Sequence, residues 1–264
     1  MPSFQEVGFL GDLDEFRENV RAAHEASFRI ADQVNAVAMR LMWELAGKAD
    51  TQEKAYFVAA YARAAQHFQC LLLLTEKGAE ADSRALLRAL AETVFLAAGM
   101  FKAQNIVARL EADRELHRKM AAERIKALKL ENDANANVAT YDAVIAEVEA
   151  AYPKGQGLSG IKWQKLAEEV GLVPLYEAAY RFTSGDSAHA TLAALARHME
   201  ADGEGFLEAY DFNPSADDLR STIRPAIVAM LNLMELAMTN LGLPHYEADM
   251  RYLLLETQFF SEHL

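Results

Sequence analysis

The sequence predicts an all-α protein: a bundle of about eight helices with a projecting charged helical hairpin. Three observations predict it. Apolar residues recur at helical spacing through most of the chain. Glycine and proline are few, 13 and 6, and they cluster between the periodic segments. The chain has 264 residues and is 52% hydrophobic, so it can bury a large core. Residues 1–264 read as a single helical domain.

The elements follow in order. Phe16, Val20, Phe28, Ile30, Val34, Leu41 and Leu45 form one stripe, which predicts a helix from about Asp14 to Leu45. A second helix spans about Thr51 to Lys77, with Lys77-Gly78 as its C-cap. Asp82 is placed to cap a third, Arg84 to Phe101. From Ala108 to Lys129 charged residues alternate in sign at i,i+4 spacing, and Val138 to Ala151 returns. Residues 108–151 therefore read as the hairpin: a solvated arm first, a partner-binding arm second. Residues 153–160 are a linker. A short helix at Lys162–Val170 stops at Gly171, and Pro174 opens the next. A helix is expected from about Ser184 to Met199, and 201–215 reads as a loop with room for a small β-hairpin. Ser215-x-x-Asp218 resembles a capping box before an apolar helix to about Leu241, which Pro225 should kink or truly begin. The last helix runs from about Tyr246 to Phe260.

Composition excludes several classes. The formal net charge is −13, with 39 acidic residues against 26 basic, which argues against a broad nucleic-acid surface but not against a local site. The single cysteine, Cys70, leaves no internal disulfide, zinc ribbon or Cys-x-x-Cys pair. The longest apolar stretch, 85–100, is broken by Arg88 and Glu92, so no membrane span is expected. Met1 to Leu13 carries no secretory pattern, and a cytoplasmic protein is expected. No Glu precedes a His by three residues, and the zincin, P-loop, dinucleotide and nucleophile-elbow motifs are missing. No metal and no cofactor is therefore expected.

Two segments set polar chemistry in apolar surroundings. In the helix after Asp82, Arg84, Arg88 and Glu92 sit four apart on one stripe of an otherwise apolar helix. Arg88 can pair with Glu92, which leaves one positive charge over. An unpaired buried charge is costly, so the stripe must meet water, another carboxylate or an anion. The bland reading is an Arg–Glu network tying helices together. The functional one is a pocket in which Arg84 and Arg88 hold a phosphate. The second segment runs from Tyr176 to Thr191 and holds Tyr180, Arg181, Ser184, Asp186 and His189. Thr183-x-x-Asp186 fits a capping box, so part of it only starts a helix. The remainder suits proton transfer with oxyanion stabilisation: His189 as general acid/base, with Tyr180, Ser184 and Arg181 beside it.

Together, Arg84-x-Leu86-Leu87-Arg88-x-Leu90-x-Glu92, then Trp163, then Tyr176, Tyr180, Ser184 and His189 resemble an uncharacterised all-helical bacterial family, a domain of unknown function. The resemblance covers about residues 60–200. It implies that the two polar segments form one site, with Asp186 answering the spare arginine. A looser similarity is to HEPN domains, many of them metal-independent ribonucleases that use an Arg and a following His across a dimer. That resemblance implies phosphate stabilisation by Arg181 and proton transfer by His189, at a longer interval here than the usual motif has.

Two functions are therefore expected in turn. One is a phosphate-handling enzyme of a stress or defence system, a ribonuclease or nucleotide processor, with Arg84, Arg88, Glu92 and Asp186 binding the ligand. The other is a non-catalytic module that senses a small anion or binds a protein through 108–151. The long apolar terminal helices suggest a homodimer.

Overall fold

A computed structural model describes residues 4–183, 185, 191–201, 203 and 207–262. Twelve α-helices and one two-stranded sheet occur among the described residues, so the fold class is all-α as expected. The number of helices exceeds eight because the helix expected over Asp14–Leu45 is divided and short helices join the long ones.

A first turn, α1 (Phe4–Val7), precedes α2 (Asp14–Ala23) and α3 (Glu25–Leu45). The single helix expected over Asp14–Leu45 is thus two. The break is at His24, whose φ of −121° and ψ of 32° leave the helical region. No glycine or proline marks it. The next pair, α4 (Gln52–Glu76) and α5 (Glu80–Lys102), forms a tight antiparallel hairpin. Thr51 caps α4 by accepting from the Lys54 amide at 3.3 Å. Gly78 closes the hairpin at φ +77°, and a Cβ there would lie 2.6 Å from Pro214 Cβ and 2.8 Å from the Ser215 nitrogen. Only glycine fits that position. Asp82, expected to cap α5, lies inside it instead, because the helix already begins at Glu80.

The charged arm is α6 (Ile106–Asn132) and α7 (Ala139–Ala151). Its two legs are tied by Arg118–Glu147 at 2.6 Å, Lys119–Glu149 at 2.8 Å and Lys126–Asp142 at 2.5 Å. Only Ile106, Ala112 and Ala122 of α6 are buried. At its base, Arg109 pairs with Glu169 at 2.6 Å. That residue sits in α8 (Trp163–Val170), which packs on α5. Gly171 ends α8 at φ +78°, and Pro174 stands in the first turn of α9 (Val173–Leu175), both as expected.

From Tyr176 to Arg181 the backbone is a π-helical turn, closed by the Phe182 amide on the Glu177 carbonyl at 3.2 Å. Among the described residues of the helix expected over Ser184–Met199, the helical part is α10 (Leu192–Ala196), and its cap is Thr191, which accepts from the Ala194 amide. Thr183 donates to the Ala179 carbonyl. A small hairpin pairs β1 (Glu200–Ala201) with β2 (Leu207–Ala209). Then α11 (Leu219–Leu241) runs through Pro225 without stopping, and α12 (Glu247–Glu262) ends the described chain.

The core lies where α3, α4, α5 and α11 meet. Phe57, Tyr61, Phe68, Leu87, Leu90, Phe95, Leu233 and Met234 are wholly buried there. Each buried side chain of this size contributes about 1.5–3 kcal/mol. The Tyr61 phenol is satisfied inside this core by the Ala38 carbonyl at 3.1 Å, and burial pushes its pKa up. Among the described residues no helix is long and apolar enough to cross a membrane.

Candidate functional site

The polar stripe of α5 divides into two environments. Arg84 is 3% exposed. Its Nη1 donates to Asp218 at 2.7 Å, and Phe182 lies over the guanidinium at 4.9 Å. Arg197 Nη2 donates to the same Asp218 oxygen at 2.6 Å and reaches Glu80 at 3.5 Å. The Asp218 amide in turn donates to Glu80 at 2.6 Å. Two guanidinium groups thus meet two carboxylates. The group is neutral and densely bonded, and it ties α5 to the start of α11 and to the end of α10. Burial is the main influence on Glu80 and raises its pKa, while the Asp218 amide pulls it back. The leftover charge on the stripe is therefore answered by Asp218. Asp186, expected to answer it, lies outside the described residues. Asp218 does not form the expected capping box either. Its carboxylate is engaged by arginines, and the Ser215 hydroxyl accepts from the Asp217 amide instead.

One turn further along α5, Arg88 pairs with Glu92 as its spacing predicts, Nε to Oε1 at 3.3 Å. Its Nη2 donates to the Tyr180 hydroxyl at 2.8 Å, and the guanidinium carbon stands 4.2 Å from the centre of that ring. Tyr180 stacks on Tyr176 at 5.0 Å, and Tyr176 packs towards Phe95. The π-turn places both phenols on α5. Insertions of this kind are frequent at functional sites. Arg88 and Glu92 are partly open, at 20% and 27%. Among the described residues, Arg88 Nη1 makes no hydrogen bond. Burial raises Glu92 above the usual carboxylate range, against the pull of Arg88. It likewise raises the Tyr180 phenol, which stays protonated at neutral pH.

Sequence reasoning missed the contribution of α4. Arg63 acts electrostatically on both Glu92 and His67. Burial, then Arg63, lowers the His67 imidazole and favours its neutral form, and its Nε2 is buried without a partner among the described residues. Arg63 and His67 are four apart. That i,i+4 pair of basic side chains in an apolar helix was a legible signal. Arg181 is exposed and pairs with Glu177 on its own turn at 3.2 Å. Ser184, Asp186 and His189 lie outside the described residues.

A family model described as a family of unknown function (DUF5677) matches residues 54–206, more than half of the chain. The chain belongs to this family. The DUF5677 match contains Arg84, Arg88, Glu92, Trp163, Tyr176, Tyr180, Ser184 and His189, the residues on which the sequence resemblance rests. It also contains Arg63 and His67, and it ends before Asp218 and α11. No curated protein and no solved structure matches the chain.

Proposed function

We propose that this DUF5677 protein handles phosphate at the Arg88–Tyr180 face, binding a nucleotide or a short stretch of RNA. The supporting observation is the Arg88 guanidinium. It is held rigid by Glu92 and Tyr180, keeps Nη1 uncommitted among the described residues, and remains partly open. A guanidinium fixed in this way can donate to a phosphate oxygen with little ordering cost. Arg63 adds positive charge on the same side, so this face is cationic in an acidic chain.

In this reading Tyr180 donates or relays a hydrogen bond, and Ser184 and His189 stand next along the chain to move a proton. Arg84 drops out of ligand binding, because Asp218 holds it. The reaction class is metal-independent phosphoester or nucleotide processing, as in the HEPN resemblance.

The test is turnover of RNA and of nucleoside phosphates by the wild type, by Arg88→Gln and by His189→Ala. Loss of activity in both variants without loss of folding is expected. Intact RNA and nucleotides with the wild type would defeat the catalytic part. A second reading, a non-catalytic anion sensor or partner-binding module, draws on the same guanidinium and on the exposed arm α6–α7. It predicts nucleotide binding that His189→Ala leaves unchanged.

A further inference from the structure

On the other side of the π-turn lies a cleft of about 400 Å³, bounded by α3, α11, α12 and the turn itself. That volume is within the range of small-molecule sites. Its walls are apolar. Ile30 and Ile223 are each 1% exposed, Ile227 is 4% exposed, and Phe182 covers one side. The cleft is separate from the Arg88 face: Tyr176 and Tyr180 meet Phe95 and Arg88, while Ala178 and Phe182 line the cleft, Phe182 lying also against Arg84.

Three polar features mark it as a ligand site. Arg220 and Arg224 line it four residues apart, one above the other on α11. Neither makes an ion pair or a hydrogen bond among the described residues. Elsewhere on the same bundle Arg21, Arg29, Arg40, Arg84 and Arg197 each meet a carboxylate. Two adjacent unanswered arginines are notable in a chain with 39 acidic and 26 basic residues. The third feature is Ser27. It is 4% exposed, it lines the cleft, and its hydroxyl makes no hydrogen bond with the described residues. Its hydroxyl oxygen is not fully buried and opens on the cleft, where water or a ligand can meet it.

We infer that this cleft binds an amphipathic anion. An alkyl or acyl body lies along Ile30, Ile223, Ile227 and Phe182. Its carboxylate or phosphate head is held by Arg220 and Arg224, whose forked donors suit either group. Ser27 adds one hydrogen-bond donor to the lining. The site is independent of the phosphate reading, since it shares no side chain with the Arg88 face.

The experiment is displacement of 8-anilinonaphthalene-1-sulfonate fluorescence from the full-length protein by decanoate, decyl phosphate, decanol and acetate. At least one of the two long anions should displace the dye, and the tighter one names the head group. Decanol should be at least about tenfold weaker, and acetate inactive. The exposed double variant Arg220→Gln/Arg224→Gln should lose about tenfold in affinity for the anion, keep its affinity for decanol, and melt like the wild type. Ala178→Trp, which fills the mouth, should weaken both. Equal binding of decanol and the anion, wild-type affinity in the double variant, or no displacement by either long anion would overturn the inference.

Discussion

At the residue scale the decisive contrast is between Arg84 and Arg88. They share a helix stripe and look equivalent in the sequence. One is buried against Asp218, the other half-open beside Glu92 and Tyr180. Asp218→Asn should therefore destabilise the protein by about 1–3 kcal/mol, since it removes the charge of a carboxylate that Arg84 and Arg197 share. Arg88→Gln removes a partly exposed i,i+4 pair together with the Tyr180 hydrogen bond and ring contact, and should cost about 1 kcal/mol, less than Asp218→Asn. Urea unfolding of both variants measures this, and the reverse order would exchange the structural and binding roles. The Arg88–Glu92 pair was legible from spacing alone. Asp218 was not, because it lies 134 residues from Arg84 and local pattern reads it as a helix cap.

His67 supplies a pH signature. Its folded pKa is lowered from the ordinary 6.5 by burial and Arg63. The unfolded chain then binds more protons in the window just below 6.5, so stability is present above that value and lost as pH falls. Glu80 and Glu92 are raised from 4.5, so their contribution is present below 4.5 and lost as pH rises through their folded values. His67→Gln should therefore lose less stability than the wild type between pH 7 and pH 5. An equal loss, measured by denaturation midpoints, would place the imidazole in water.

At the scale of elements, the long helices were legible because their apolar period and punctuation agree. Gly78, Gly171 and Pro174 stand where the backbone needs them. The failures share a cause: nothing local announces them. His24 interrupts one apolar stripe without a breaker. The π-turn at Tyr176–Arg181 inserts its wider loop in a sequence that reads as ordinary helix. Thr191 caps α10, in a stretch that gives no local sign of a helix start there.

Gly78→Ala should cost at least about 1 kcal/mol, because a Cβ meets backbone and side chain in a left-handed conformation. A thermal melt equal to the wild type would mean that the Pro214–Ser215 segment moves aside. The arm α6–α7 is joined by exposed ion pairs and buries few apolar side chains, Ala112, Ala122 and Val148 among them. About 1 M salt should screen them. Amide exchange in α7 should then quicken while α5 and α11 stay protected. Equal protection in high and low salt would point to apolar packing of the arm.

At the scale of the molecule, charge is sorted rather than uniform. Acidic and basic side chains alternate on the arm. Within the bundle, Arg84 and Arg197 are neutralised by Glu80 and Asp218. The Arg88 face and the α11 cleft with Arg220 and Arg224 lie on opposite sides of one π-turn. The DUF5677 match covers the first of these and stops short of α11. Calorimetric titration of the wild type and Arg88→Gln with inorganic phosphate, adenosine monophosphate and a short oligoribonucleotide tests the phosphate site most directly. The expected result is saturable binding of at least one of the three by the wild type. Arg88→Gln should weaken it about tenfold or more, with an unchanged melting temperature. No heat with any of the three, or equal affinity in both proteins, would contradict phosphate binding at Arg88.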